Sequence, residues 1–406
     1  MTPPMEDAAP AGEFAFTRLE KVIFGPGKVA VLGEELARRG LERAVVVTGR
    51  TLGRSALLGK VTDAMGGRCA GIYAGAAQHA PVHTVRELTA ELARLDADAV
   101  VSFGGGSPID TAKVAAACII NGRDMTQEAG ELDFAAAFRP PAEGRELVHI
   151  ALPTTLSAGE YTPAGGTTDE ATRVKHGVLD PRLQPRLIIN DPGLTVETPP
   201  WLWAATGMRA LDHAVEAAYS RRHQPFIDAL AAKAIQLLTE HLPASLATPG
   251  EAGLAHRGHC QIAAWCSLFG GFNTGLGVSH ALGHQIGPMW DVPHGVTSCI
   301  TLPHAMRFMA AVAPERFGPI AEGLGLAFDA ADPRPAALAC ADRVAAFVAG
   351  LPVPRTLQAA GVGHNQVMQV AEAIRREIDL FDVLGRPIAA EEVAGLLQAA
   401  WDDAQP

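Results

Sequence analysis

Between Ser279 and Gly295 the chain reads S-H-A-L-G-H-Q-I-G-P-M-W-D-V-P-H-G, with imidazoles at His280, His284 and His294. His280 and His284 are four apart and share one face of a helix. Val292-Pro293 ends or bends that helix, because proline has no N–H and restricts the residue before it. The turn then returns His294 toward the same place. Imidazoles gathered in this way suit a metal ion, a proton relay, or both. Histidines that only cap or pack are the plain alternative, and three together argue against it.

A second stretch, G-G-G-S-P-I-D-T-A-K from Gly104 to Lys113, follows the β-branched run Ala99–Phe103 and precedes a helical pattern. Glycines let a backbone approach a pyrophosphate, and a helix N-terminus supplies free N–H groups and positive potential. Proline in the first turn suits that place. The run is neither G-x-G-x-x-G nor a Walker A loop, so an ordinary strand–helix turn is the alternative. Thr154 and Thr155, at the end of another apolar run, add hydroxyls at the same sheet edge.

These residues need a frame. The 406 residues exceed one ordinary core, and 48% hydrophobic with 19% charged content describes a globular protein. Short apolar runs at Arg43–Thr48, Ala70–Tyr73, Ala99–Phe103, Leu147–Leu152 and Leu187–Asn190 alternate with helical patterns up to about Asn190. That alternation predicts a parallel α/β sheet. Thr162–Gly177 is expected to form a short hairpin. Beyond Thr198-Pro199-Pro200 the pattern is almost continuously helical, in segments such as Trp201–Tyr219, Pro225–His241, Leu254–Leu268, Gly277–Ile286 and Thr301–Val312. The expected division is a disordered tail over 1–15, an α/β domain over 16–195 and an all-α domain over 196–406.

A formal net charge of −11 argues against nucleic acid and anionic membranes as partners. No apolar stretch is long enough to span a bilayer. The N-terminus lacks the basic and apolar regions of a signal peptide, and the six cysteines include no C-x-x-C pair. Reduced thiols in a cytoplasmic protein are expected.

Taken together, G-G-G-S-P-I-D-T-A-K, P-T-T-L-S-A-G-E-Y-T-P, G-M-R-A-L-D-H-A-V-E-A and H-A-L-G-H-Q-I-G with P-H-G beyond it resemble the iron-containing alcohol dehydrogenase family. Within that family the chain looks most like the maleylacetate reductase branch. The resemblance runs from about Phe16 to Trp401. It implies a dinucleotide-binding role for the α/β domain, a substrate role for the helical one, and a cleft between them for nicotinamide, a small-molecule substrate and often a divalent metal, in a homodimer. Carried over, it gives Gly104, Gly105, Gly106 and Ser107 to the pyrophosphate, with Asp110 and Lys113 supporting the loop. Thr154 and Thr155 would contact phosphate and nicotinamide, and Lys175 the ribose.

Two departures from the family pattern matter. Gly49, followed by Arg50, stands where an aspartate often holds the adenosine ribose; losing that carboxylate and gaining a guanidinium favours a 2′-phosphate, hence NADP(H) or dual use beside NAD(H). Metal-dependent members place an aspartate four residues before the first histidine ligand, and here that position is Arg209, ahead of His213. His213, His280 and His294 remain as possible iron or zinc ligands. Asp212 is expected to point elsewhere. Arg209 is expected to replace the metal as electrophile or to clamp a substrate carboxylate, with an ion pair to His213 or Glu216 as the plain alternative.

The expected reaction is hydride transfer between NAD(P)H and a small carbonyl or enoyl carboxylate such as maleylacetate, without metal. His284 is the first choice as proton donor, and His280 or His213 the second. Ser279 and Ser298 stand where maleylacetate reductases tend to carry histidine, so the substrate can differ from maleylacetate. The alternatives are a metal-dependent alcohol dehydrogenase working through His213, His280 and His294, a dehydroquinate synthase-like lyase, and a non-catalytic binding relative.

Overall fold

The computed structural model describes residues 11–126, 134–141, 143, 144, 146–172 and 174–402. Six parallel strands form the first half: β1 (Lys21–Phe24), β2 (Ala44–Gly49), β3 (Cys69–Ala76), β4 (Ala99–Gly104), β5 (Val148–Pro153) and β8 (Leu187–Asn190). Their order is β1-β8-β5-β4-β2-β3. Side chains alternate across a strand, so Ala44 and Val46 face one layer while Val45 and Val47 face the other. The first layer is packed by α1 (Leu32–Arg38) and α2 (Ala56–Met65), the second by α3 (Val82–Arg94) and α4 (Gly106–Asn121). Burial on both sides is why these strands read as unbroken β-branched runs. The expected hairpin is present as β6 (Ala164–Thr168) against β7 (Lys175–Leu179), antiparallel.

Strand order reverses between β2 and β4, which are direct neighbours. Helices leave this pair to opposite faces, so a crevice opens at their carboxyl ends. In α/β sheets that is where ligands bind.

The second half is helical: α5 (Pro200–Tyr219), α6 (Pro225–Ala247), α7 (Leu254–Leu268), α8 (Gly271–Thr274), α9 (Val278–Trp290), α10 (His294–Val312), α11 (Gly318–Leu324), α12 (Pro333–Ala349), α13 (Ala371–Leu380) and α14 (Ala390–Asp402). α5 is its axis, buried from Trp203 to Tyr219. The break at Val292-Pro293 falls as expected: Asp291 takes a left-handed turn (φ 53°) that closes α9, and Pro293 precedes the first turn of α10. α10 starts at His294, earlier than Thr301, and runs through Pro303. Nearly the whole helix from Gly295 to Met306 is buried, and that packing outweighs one lost N–H.

Residues 11–15 of the expected tail are among the described residues. Phe14 sits among Phe16, Phe226 and Phe269, and Ala15 exchanges hydrogen bonds with Asn273 (2.8 and 3.1 Å), so ring burial fixes these two residues. Residues 1–10 lie outside the described residues, as does the side chain of Lys175. All six cysteines are free thiols. No helix among the described residues is long and apolar enough to cross a membrane.

Candidate active site

α5 supplies a polar stripe inside an apolar helix. At about 100° per residue, Arg209, Asp212 and Glu216 lie within about 60° of one another, with His213 on the flank. Asp212 is wholly inaccessible, and Arg209, His213 and Glu216 are nearly so. Arg209 does not pair with His213 or Glu216. Its Nη1 donates to Ser298 Oγ (3.2 Å) and lies 3.7 Å from Asp212 Oδ2. That same carboxylate oxygen accepts from Ser298 Oγ (2.6 Å) and Ser279 Oγ (2.9 Å). The expectation that Asp212 points away from the site is therefore corrected: it is the hub that holds Arg209 between α5, α9 and α10.

Glu216, seen in the sequence only as an ion-pair alternative, is saturated with donors. It accepts the N–H groups of Gly277 (2.8 Å) and Ser279 (2.6 Å), the hydroxyl of Tyr219 (2.8 Å) and Nδ1 of His280. Burial pushes the Glu216 carboxyl up, but four donors require the ionised form. Fixing Nδ1–H of His280 leaves Nε2 as the outward atom. Nε2 of His280, Nδ1 of His213 and Oδ1 of Asp212 are buried without a hydrogen-bond partner. Burial pushes the His213 and His280 imidazoles well below their ordinary value, helped by the charge of Arg209. Both are therefore neutral at pH 7. Burial, then the charge of Glu216, pushes the Asp212 carboxyl up.

The remaining histidines are nearby. The His213 and His280 rings are 5.0 Å apart, His280 and His284 6.0 Å, and His284 stacks on His294 at 5.4 Å with planes 9° apart. The turn after α9 thus returns His294 to the cluster. His213 and His280 are buried, whereas His284 and His294 are half-buried, His284 with 28% of its side chain exposed. Its Nδ1 is held by Glu377 of α13, whose other carboxylate oxygen accepts from Gln285 Nε2 (2.7 Å). Sequence reasoning missed Glu377, which lies 93 residues from His284 and has no spacing to betray it.

The resemblance implies a divalent metal here, and the donor set does not fit one. The four ligand positions read Arg209, His213, His280 and His294. The arginine charge that depresses two of the imidazoles would equally repel a dication between them. Among the described residues, the only three metal-capable groups whose ligating atoms all lie within 4.8 Å are Asp212, Glu216 and His280, which excludes His213 and His294. In that trio Glu216 is engaged by hydroxyl and N–H donors and Asp212 Oδ2 by two hydroxyls, while Asp212 Oδ1 and His280 Nε2 have no hydrogen-bond partner.

The glycine loop sits at the β2–β4 crevice. Gly104 has φ +151°, and a Cβ there would stand 2.7 Å from Pro108 Cγ; one on Gly105 would stand 2.9 Å from Thr155 Cγ2. Thr154 N–H bonds to Gly104 O (2.9 Å), so the two loops form one surface. Gly105 precedes the 16-residue α4 and brings no capping side chain, leaving the helix N-terminal N–H groups open. This cradle fits a pyrophosphate. Ser107 and Asp110 lie in the first turns of α4. Lys113 is fully buried, donating to the carbonyls of Gly159 (2.6 Å), Thr162 (2.6 Å) and Ala164 (2.9 Å). It ties the β5–β6 segment to α4, so its bonds go there and not to the glycine loop it is expected to support. Gly49 and the exposed Arg50 end β2 on the other side of the crevice.

The sequence patterns of known families agree with this arrangement. Residues 20–192 match "Iron-containing alcohol dehydrogenase", and residues 203–401 match "Fe-containing alcohol dehydrogenase family, C-terminal". The chain is 32% identical to the lactaldehyde reductase of Escherichia coli K12 over 94% of its length and 98% of that protein's. It is 30% identical to a maleylacetate reductase of Burkholderia cepacia over 96% and 97%. Among solved structures, an alcohol dehydrogenase from Oenococcus oeni superposes with a TM-score of 0.86 at 28% identity, covering 96% of this chain and all of that one. The maleylacetate reductase of Agrobacterium tumefaciens superposes at 0.79 and 26%, covering 98% and 100%. With both halves matched by models of one family and relatives at 30% or more covering nearly the whole chain, the chain belongs to the iron-containing alcohol dehydrogenase family and is a nicotinamide-dependent dehydrogenase or reductase.

Proposed function

We propose that the enzyme reduces a small carbonyl or enoyl carboxylate, such as maleylacetate, with NADH or NADPH, and that Arg209 takes the role a metal plays in other members. One observation carries this reading. Among the described residues the buried Arg209 guanidinium makes a single hydrogen bond, to Ser298, although it carries five N–H donors. A desolvated cation with unspent donors asks for an anionic acceptor, and a planar fork suits a carboxylate or a developing oxyanion.

Bound NAD(P)H supplies the hydride. Negative charge then grows on the substrate oxygen or α-carbon. Arg209, held rigid by Asp212, Ser279 and Ser298, stabilises that charge without reorganising. Neutral His213 and His280 keep positive charge off the same spot and leave Arg209 as its electrophile. His284, oriented by Glu377 and partly open to solvent, delivers the proton and is recharged from water. Arg50, beyond β2 and across the crevice from the glycine loop, supports use of a 2′-phosphorylated cofactor.

The test pairs elemental analysis of chelator-free protein with NAD(P)H oxidation by maleylacetate and by lactaldehyde, with and without EDTA. The expected result is negligible metal, EDTA-resistant turnover and preference for the carboxylate. Arg209→Lys, which keeps the charge and loses the fork, should lower kcat/KM by about 10²-fold, the scale of one oxyanion donor. Stoichiometric iron or zinc with activity lost on chelation would overturn the proposal and make His213, His280 and His294 ligands.

A further inference from the structure

A short helix beside the histidine cluster is gripped from the far end of the sequence. α8 spans only Gly271–Thr274, and the glycines on either side of it, Gly270 and Gly275, take positive φ of 80° and 78°. A single turn of helix does not hold itself in place, so the position of α8 depends on its partners. At one end Thr274 O accepts from Ser220 Oγ, directly after α5 (2.7 Å). At the other the partner lies 258 residues away: Asn273 Oδ1 accepts the N–H of Ala15 (2.8 Å), and Asn273 Nδ2 donates to Ala15 O (3.1 Å) and Gly270 O (3.0 Å). The Phe14 ring rests on Gly270, where a Cβ would stand 2.6 Å from it, and packs against Phe226 and Phe269 with centroids 5.1 and 6.3 Å away. Gln224 Nε2 donates to Glu13 O (3.3 Å). A small cavity lined by His213 and His280 is closed by Leu268, Gly271, Thr274 and Leu276, so α8 forms part of its wall.

We infer that Phe14 and Asn273 are positioning residues: the segment 13–15 clasps α8 and thereby sets the depth of the substrate pocket beside the two imidazoles. The inference rests on the proposed reading of that histidine cluster as the reacting end of the site. Phe14 and Asn273 act through α8 and not by touching substrate. With the clasp closed, α8 stands against His213 and His280 and leaves room for a short carbonyl compound only. With the clasp cut, the turn between Gly270 and Gly275 moves outward, the pocket deepens, and a small substrate is held less well against Arg209.

The experiment compares the full-length wild type with Phe14→Ala, Asn273→Ala, their double variant and the conservative Phe14→Leu, by steady-state kinetics and by hydrogen exchange read with mass spectrometry. The substrate is whichever of maleylacetate and lactaldehyde the wild type reduces with NAD(P)H. Each alanine variant should raise KM for that substrate about tenfold, with kcat lowered by less than about threefold and Kd for NAD(P)H unchanged, the pattern of weakened substrate holding. The double variant should be no worse than the poorer single one, because both substitutions open one clasp. Phe14→Leu, which still covers Gly270, should stay within about threefold of wild type in kcat/KM. Amides of residues 270–276 should exchange faster in the alanine variants, and those of residues 203–216 should not. Faster exchange with an unchanged KM overturns the inference, since the clasp would then steady α8 without shaping the site. Unchanged exchange overturns it as well, since α8 would then hold without the clasp. Should Phe14→Ala fail to fold, Asn273→Ala carries the same comparison. Failure of the Arg209 reading is seen separately, as EDTA-sensitive turnover by the wild type, and leaves this comparison standing.

Discussion

At position 209 the choice between a carboxylate and a guanidinium decides which chemistry the histidines around it can do. A carboxylate there would complete a ligand set; the arginine instead lies 3.7 Å from Asp212 and adds its charge to the burial that holds His213 and His280 below their ordinary value. The substitution was legible in the sequence because the family pattern fixes its place. Its consequence for Asp212 was not, since that rests on Ser279 and Ser298, which are 67 and 86 residues away. Glu377 was hidden in the same way. If Glu377 orients His284 for proton delivery, Glu377→Gln should lower kcat by about 10- to 100-fold, a fraction of what general acid catalysis contributes, with KM for the carboxylate little changed. The amide oxygen introduced by that substitution would still accept from Gln285, so the anchor of α13 survives, and the solvent deuterium isotope effect on kcat should grow as proton delivery becomes slower. An unchanged kcat would assign the proton to another group.

The elements were the most readable scale, and their special residues make the sharpest tests. β2, β4, β5 and β8 announced themselves as β-branched runs because both sheet faces are covered. Helix ends at prolines were read less well, since burial of α10 overrides Pro303. In the glycine loop, Gly105→Ala places a methyl 2.9 Å from Thr155 Cγ2, and a β-branched side chain cannot easily step aside. The cofactor cradle should widen, raising Kd for NAD(P)H by tenfold or more in a fluorescence titration, with at most a modest fall in Tm. The β5–β6 segment gives a pH test. Burial raises the Glu160 carboxyl to about 7, from 4.5 in an unfolded chain. Between those values the folded state holds a proton that the unfolded state has released, so stability falls as pH rises from about 4.5 to about 7, by on the order of 3 kcal/mol. Glu160→Gln cannot ionise and should remove that slope: its Tm should change less than that of wild type between pH 5 and pH 7. Parallel slopes would show that the carboxyl titrates alike in both states.

At the scale of the whole molecule, function depends on a seam that no sequence pattern marked. The α/β half carries the cofactor cradle, the helical half carries Arg209 and the histidines, and the two must hold register for a hydride to pass between them. The bonds that set this register are single hydroxyls and amides meeting distant backbone. Thr198 Oγ1 donates to Thr154 O (2.7 Å) and Arg257 Nη1 to Thr195 O (2.9 Å). Thr206 is the pivotal one. Its hydroxyl donates to Leu202 O within α5 (2.8 Å) and accepts the N–H of Leu156 (3.1 Å), directly after the Thr154-Thr155 pair and one turn of α5 before Arg209. Threonine is an ordinary helix residue and its spacing says nothing, which is why composition and periodicity passed over it. Thr206→Val keeps the shape and removes the acceptor, leaving a buried N–H unpaired at a cost of about 1–3 kcal/mol. The expected result is a lower Tm together with a raised KM for NAD(P)H and a reduced kcat, because the cradle drifts relative to Arg209 and small misplacements of reacting groups are costly. A fall in Tm with both kinetic constants intact would make the Thr206–Leu156 bond a matter of packing alone, and would move the control of register to Thr198 and Arg257.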